Sequence, residues 1–381
     1  MEARCPPGFF DLTSRRLIME VGIIGLPFSG KTTLFSTLTR VEVQTSHVSG
    51  KMEVHRGVVR IPDSRLNNLT AILKPKKQVN ATVEYIEIGG LDPKNTRQKG
   101  FDPQLLAVLK NTDALCVVIR AFEDELYPHP EGSIDIMRDI NIVESEFLLT
   151  DLAIVESRLN RLESQIQKAK SESDIREREL MKKLLEALER EKPLRECTLS
   201  EEDKFKLRGF QFLSAKPLLI VVNYGEADIS REEELLAPLV ATYQNKANTA
   251  VTGLCARLEF EIVQLEEEER GIFLEEMNIS QPALPKMIQQ SYRLLGLISF
   301  FTFNEDECRA WTIPQGTNAR KAAGTIHTDM ERGFIRAEVV HYSDFIRLKS
   351  IAKCREQGIL RLEGKDYIVK DGDMITVRFN V

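Results

Sequence analysis

Hydrophobic positions come in short blocks over the first 140 residues and in a heptad rhythm after that, and this change of period divides the chain. Residues 21–24 are an apolar run ahead of a glycine, which predicts a buried strand. Residues 83–88 and 114–119 predict two more strands, with helical spacing between them. Strands alternating with helices in this way predict an α/β sheet. Further on, Leu148, Leu152, Val155, Leu159, Leu162, Ile166 and Ala169 recur at alternating spacings of four and three, a heptad seam flanked by charge. A polar break at Ser171-Glu172-Ser173 precedes a second helix carrying Leu180, Leu184 and Leu188 and closing near Pro193. The pair predicts an antiparallel helical hairpin whose apolar stripe packs within the chain. Strand texture resumes at 218–222 and at Ala250-Val251-Thr252. Beyond about Ile298, short strands and turn residues predict a small α+β domain, with Asp371-Gly372-Asp373 as a hairpin-type turn before a last strand at 374–379.

The first strand runs into Gly25-Leu26-Pro27-Phe28-Ser29-Gly30-Lys31-Thr32, and Thr33-Leu34-Phe35 then open a helix. This fits G-x-x-x-x-G-K-[ST] in the strand–loop–helix setting the motif requires. Glycines let backbone N–H groups turn inward around a phosphate, and the helix N-terminus adds partial positive charge. Residues 27–33 (Pro27, Phe28, Ser29, Gly30, Lys31, Thr32, Thr33) are therefore the expected phosphate contacts. Lys31 is expected to reach the β- and γ-phosphates and Thr32 to ligate Mg²⁺.

Two further elements refine the nucleotide. The strand at 83–88 ends in Glu87-Ile88-Gly89-Gly90, where switch NTPases carry D-x-x-G. Glu87 is the candidate acid for the metal and Gly90 the candidate γ-phosphate contact, while Leu91 stands where many GTPases carry a water-orienting glutamine. At the end of strand 218–222 the chain reads Asn223-Tyr224-Gly225-Glu226 in place of N-K-x-D. Glu for Asp and Tyr for Lys disturb the paired hydrogen bonds that read guanine, so ATP is the expected nucleotide. Asn223, Glu226, Cys255 and Ala256 are the candidate base-side residues.

Composition narrows the rest. Fifty-two Lys and Arg against 58 Asp and Glu leave a mildly acidic chain, which advertises no global nucleic-acid binding. Cys5, Cys116, Cys197, Cys255, Cys308 and Cys354 are scattered without a C-x-x-C pair, which argues against zinc and for reduced cytosolic thiols. Apolar runs such as 218–222 are too short to span a bilayer, so no membrane association and a cytoplasmic location are expected. Residues 1–18 have no secretory apolar core and are read as an extension, with Met19 as the start. Nothing suggests symmetry, and a monomer is expected. The acidic run Glu266-Glu267-Glu268-Glu269 reads as a solvated helix face, and Trp311 and His327 as packing or hydrogen-bonded residues.

Taken together these features resemble the YchF, or Obg-like, ATPase family of P-loop proteins. The resemblance runs from Met19 to Val381 and is strongest in Arg309-Ala310-Trp311-Thr312-Ile313-Pro314, in Ala322-Ala323-Gly324-Thr325-Ile326-His327-Thr328-Asp329 and in Gly333-Phe334-Ile335-Arg336-Ala337. The closing Gly364-Lys365-Asp366-Tyr367-Ile368-Val369-Lys370-Asp371-Gly372-Asp373 is similar to that family's TGS-type domain. The resemblance implies a P-loop nucleotide domain at 19–140 and 208–298, an inserted antiparallel coiled coil at 141–207, and a TGS-like, β-grasp domain at 299–381. It also implies ATP hydrolysis in preference to GTP with Mg²⁺, and ribosome association with possible RNA contact. A loop histidine is the family's catalytic residue, and the stretch Arg120-Ala121-Phe122-Glu123 aligns so that it falls on His129, in Tyr127-Pro128-His129-Pro130-Glu131-Gly132.

The departures have consequences. Phe28 replaces the family's usual Asn in the phosphate loop, which argues against potassium stimulation. The first switch reads Lys51-Met52-Glu53-Val54-His55 and keeps no hydroxyl for Mg²⁺; Lys51 is a candidate γ-phosphate contact. The second switch has become Asp92-Pro93-Lys94-Asn95-Thr96-Arg97-Gln98. Two readings follow: a slow ATPase, and an ATP-binding module with little turnover that acts through ribosome or RNA contacts. In the last 83 residues 13 Lys and Arg face 12 Asp and Glu, so composition alone marks no RNA-binding stripe there.

Overall fold

A computed structural model describes residues 19–41, 53–89, 101–169, 171–277 and 279–380. The extension 1–18, Lys51, Met52, Gly90, Leu91 and the second-switch residues 92–98 lie outside the described residues. The chain divides into two compact units, one of Glu20–Gly57 with Glu84–Leu294, the other containing Val58–Val83 with Leu295–Val381.

The first unit is built on strands β1 (Glu20–Ile24), β4 (Thr82–Gly89), β5 (Ala114–Ala121), β6 (Leu218–Tyr224) and β7 (Thr249–Leu254), with β2 (Glu53–Arg60) at the edge in the order β2-β4-β1-β5-β6-β7. β4, β1, β5, β6 and β7 are mutually parallel, which explains their unbroken apolar runs: helices cover both faces. Ile24, Ile86, Val117, Ile119, Ile220 and Val222 meet Leu105 and Leu109 of α2 (Pro103–Lys110) and Ile140, Val143 and Phe147 of α3 (Ile136–Lys168) in one core. Because parallel strands all point one way, the C-terminal ends of β1, β4, β5, β6 and β7 lie at one edge of the sheet, where such sheets take ligands.

α3 (Ile136–Lys168) and α4 (Glu172–Glu189) form the helical hairpin. Val155, Leu159 and Leu162 pack against Leu180, Met181, Leu184 and Leu188 in a core of their own. The break between the helices is narrower than the polar triplet suggested. Ser171 is the N-cap and Glu172 and Ser173 already belong to α4, because acidic and small polar residues suit a first helical turn. Ala169, the last position of the heptad series, is the exposed C-cap of α3. The hairpin is rooted by buried polar contacts. Asp151 accepts the N–H groups of Leu213 at 2.9 Å and Ser214 at 2.7 Å, and Glu144 pairs with Arg195, which also donates to Thr249 Oγ1 at 3.1 Å.

The second unit carries a mixed sheet in the order β11-β10-β12-β8-β9-β3. Its strands are β3 (Lys77–Val79), β8 (Leu297–Phe303), β9 (Glu307–Pro314), β10 (Phe334–His341), β11 (Arg361–Glu363) and β12 (Asp373–Phe379). Ile298, Phe300, Ile313, Ala337, Val339 and Ile375 form its core with Ala319 and Ala322 of the helix Ala319–Ile326. Gly372, at φ 92, turns the chain into β12, but β12 pairs with β10 and β8 and not with the preceding segment, so this turn closes no hairpin. Trp311 packs on Phe300 and donates its indole N–H to Thr302 Oγ1 at 2.8 Å; His327 caps the following short helix through Nδ1 to the Asp329 N–H at 3.2 Å. No helix among the described residues is long and apolar enough to cross a membrane, and the five described cysteines are free.

Candidate functional site: a phosphate loop and its neighbours

β1 delivers the chain to residues 25–32 at the ligand-taking edge of the sheet. Gly25 passes so close to β5 that a Cβ there would lie 2.3 Å from the Val118 carbonyl oxygen. Gly30 has φ 87, and a Cβ on it would meet Asn223 Nδ2 at 2.2 Å, so both a left-handed backbone and a close approach demand glycine. α1 (Lys31–Thr39) begins directly after Gly30 with no side-chain cap, which leaves its first N–H groups for an anion. Lys31 is buried and its Nζ donates to the Leu26 carbonyl at 2.7 Å, across the loop. Burial lowers the Lys31 ammonium to about 8, with the Glu87 carboxylate opposing that shift. Thr33 is exposed on the outer side of α1, Pro27 is buried, and the Ser29 hydroxyl is buried without a hydrogen-bond partner.

The acidic side comes from β4, whose Glu87 pairs in register with Ile23 of β1. Thr32 Oγ1 donates to Glu87 Oε1 at 3.0 Å, while Glu87 Oε2 is buried and has no hydrogen bond. Burial pushes the Glu87 carboxyl up; Lys31, the Thr32 hydroxyl and His55 pull it back. His55 Nε2 is 3.9 Å from Glu87 Oε2 and 3.7 Å from Glu53 Oε2. Among the described residues no group of three or more His, Cys, Asp and Glu is placed to hold a metal alone. An orphaned buried carboxylate oxygen beside a threonine hydroxyl suits a hard cation whose remaining ligands are water and phosphate oxygens, as Mg²⁺ prefers.

On the opposite side Asn223 acts as a staple. Its Nδ2 donates to the Ser29 carbonyl at 3.0 Å and its Oδ1 accepts the Ala256 N–H at 2.9 Å. The residues after β6 and β7 are thereby tied to the phosphate loop. Cys255 and Ala256 are buried at the start of the helix Ala256–Gln264, and burial raises the Cys255 thiol. Glu226 is exposed, its Oε1 3.6 Å from Arg257 Nε. Tyr224, at the position of the lysine in N-K-x-D, is instead buried and donates its hydroxyl to Glu232 Oε2 at 3.1 Å.

The loop after β5 is tightly held. Arg120 is 2% exposed, and it donates from Nε to the Phe122 carbonyl at 2.9 Å and from Nη1 to the Tyr127 carbonyl at 2.7 Å. His129 is buried: Nδ1 accepts the Glu131 N–H at 3.1 Å and Nε2 lies 2.9 Å from Asp139 Oδ2. A ring whose Nδ1 accepts must carry its proton on Nε2, so this imidazole is the neutral Nε2–H tautomer. It has no free lone pair with which to accept a proton in this conformation. The structure therefore brings Lys31, Thr32, Glu87 and Asn223 together and leaves His129 engaged with Asp139. Sequence reading missed the approach of His55 to Glu87. Period-two alternation along β2 was the available signal, since Glu53, His55 and Gly57 share one face. Arg257 was also missed, although it directly follows Ala256.

Comparison with known proteins agrees with this geometry. The family profile described as a 50S ribosome-binding GTPase matches residues 20–152, and that of the YchF GTPase C-terminal domain, described as a protein of unknown function, matches residues 297–380. The chain is 39% identical over 369 residues to the ribosome-binding ATPase YchF of Bacillus subtilis (strain 168), covering 96% of this chain and 100% of that protein. It is 38% identical over 365 residues to the protein of the same name from Escherichia coli O157:H7, covering 95% and 99%. The solved structure of the Schizosaccharomyces pombe YchF GTPase superposes with a TM-score of 0.82 at 28% identity, covering 98% of this chain and all of that one. With a phosphate loop in its strand–loop–helix setting and relatives matching nearly end to end, the chain belongs to the YchF family.

Proposed function

We propose that this protein binds ATP in preference to GTP, with Mg²⁺, hydrolyses it slowly, and works in association with the ribosome. The observation that carries this reading is the meeting of Lys31, Thr32 and the half-satisfied carboxylate of Glu87 at the uncapped N-terminus of α1. Lys31 would exchange the Leu26 carbonyl for phosphate oxygens, which would add anionic charge in direct contact with its buried ammonium. Thr32 and Glu87 would hold Mg²⁺, and the bound ion would offset charge on the β- and γ-phosphate oxygens. The preference for ATP follows from the base side. Tyr224 is committed to Glu232, and Glu226 is one methylene longer than the aspartate that reads guanine. Ribosome association is supported by the relatives, which are named ribosome-binding ATPases, and carries over as part of this proposal.

His129 is the proposed proton-handling residue for the attacking water, and its contact with Asp139 has to break before it can serve. That engaged ring also favours the second reading, an ATP-binding regulator with little turnover. Titration of ATP against GTP with Mg²⁺, then single-turnover hydrolysis with and without ribosomes, separates the two. Tight ATP binding with turnover that falls in His129→Ala supports the ATPase. Tight binding without turnover under either condition leaves the regulator, and a GTP preference overturns the reading of Asn223 to Glu226.

A further inference from the structure

Phe28 and Tyr127 join two segments that are far apart in sequence. Their rings lie 5.3 Å apart, tilted by 31°. Phe28 sits in the phosphate loop at φ 61, a left-handed backbone that strains an L-residue. The residue is still 37% exposed, so burial in a core does not offset that strain, and the aromatic contact with Tyr127 is its evident partner. Tyr127 is fixed on three sides. Its N–H donates to Asp124 Oδ1 at 3.3 Å, its carbonyl accepts from Arg120, and its ring rests on Phe28. Arg120 is buried with one guanidinium nitrogen, Nη2, left without a hydrogen bond, so the loop carbonyls and the Phe122 ring hold it in place of a carboxylate.

Pro128 and Pro130 flank His129 and fix the backbone torsions on both sides of it. Residues 127–130 are thus a stiff strut. At one end is an aromatic ring on the phosphate loop; at the other is an imidazole donating to Asp139. The two prolines leave little backbone freedom between Tyr127 and His129 to absorb a shift of the segment.

We propose that Tyr127 is a positioning residue for His129, reading nucleotide occupancy through the ring of Phe28. Nucleotide entering the loop displaces Phe28, the strut follows, and His129 leaves Asp139. In the nucleotide-free protein the same contact keeps the imidazole out of use. This inference rests on residues 25–32 being the nucleotide site and His129 the proton-handling residue.

The test is the rate at which diethyl pyrocarbonate modifies His129 in the full-length protein, resolved by mass spectrometry from the other histidines. Nucleotide affinity is titrated on the same samples. Without nucleotide, His129 is expected to react about tenfold or more slowly than the exposed His327, as a locally closed segment should. A non-hydrolysable ATP analogue with Mg²⁺ raises the rate. Tyr127→Leu and Phe28→Ala raise it without nucleotide, whereas Tyr127→Phe, which keeps the ring, behaves as the parent. A parent protein that binds the analogue with no change at His129 overturns the coupling. So does a folded Tyr127→Leu or Phe28→Ala variant with parental labelling in both states. A parent protein that binds no nucleotide overturns the assignment of residues 25–32 itself, and the affinity titration tells that failure from the others.

Discussion

Asn223 donates its side-chain amide to the Ser29 carbonyl, a contact that fastens the end of β6 to the phosphate loop. The same side chain accepts from the Ala256 N–H, so one buried residue sets the spacing of three loops. Asn223→Ala leaves a buried carbonyl and a buried N–H unpaired, each costing about 1–3 kcal/mol. Nucleotide affinity is expected to fall tenfold or more, on the order of that cost, with a lowered melting temperature. Asn223→Asp keeps the acceptor for Ala256 but turns an oxygen toward the Ser29 carbonyl, and is expected to bind no better than the alanine variant. Isothermal titration with thermal denaturation of both variants checks this; parental affinity in either would show that the staple does not shape the site.

Thr32 and Glu87 share one hydrogen bond, which leaves Glu87 Oε2 buried and unsatisfied. Glu87→Gln preserves shape and removes charge. Its affinity for nucleotide is expected to become insensitive to Mg²⁺, while affinity measured in excess chelator changes by less than about threefold, since the phosphate contacts of Lys31 and the loop remain. Thr32→Ser, which keeps the hydroxyl, is expected to retain the Mg²⁺ response and Thr32→Ala to lose it. Titrations with and without Mg²⁺ decide the matter.

Asp151 gives the fold a pH dependence. Burial raises its carboxyl to about 6, against the pull of its hydrogen bonds to Ser214 and Leu213. The folded state therefore binds the proton more tightly than the unfolded chain. Stability conferred by this group is greatest below about pH 4, declines as pH rises toward 6, and is level above that, a total change of about 2–3 kcal/mol. Asp151→Asn removes the titration. The difference in unfolding free energy between parent and variant, measured by denaturant from pH 4 to pH 7, is expected to shift against the parent as pH rises. A difference that is constant with pH would show that Asp151 does not titrate in this window.

What was legible in the sequence was local. The apolar runs at β1, β5 and β6 and the heptad positions of α3 and α4 each carry their period within a dozen residues, and the strands and hairpin formed where that period placed them. The strand–loop–helix around Lys31 is local in the same sense. Contacts between distant residues left no comparable trace. That Asn223 would reach Ser29, that Tyr127 would lie on Phe28, and that Asp139 would take up His129 depend on which loops the parallel sheet brings to one edge. Proline on both sides of His129 signalled stiffness but not its direction. Asp371-Gly372-Asp373 carried a hairpin signal because the turn chemistry is genuine, but the strand it feeds finds its partners elsewhere in the sheet.

β3 has a further consequence. Lys77, Gln78 and Val79 pair with Glu307, Cys308 and Arg309 of β9, and Arg65, held by Asp63, reaches Asp371 at 2.8 Å. The C-terminal sheet is therefore completed by chain that was synthesised more than two hundred residues earlier. A fragment cut to begin at Leu295 carries β9 with a bare row of N–H and carbonyl groups and Asp371 without its guanidinium. Open edges of that kind recruit neighbouring strands. Cutting at Leu295, where the last segment of this unit begins, thus leaves the excised piece sticky.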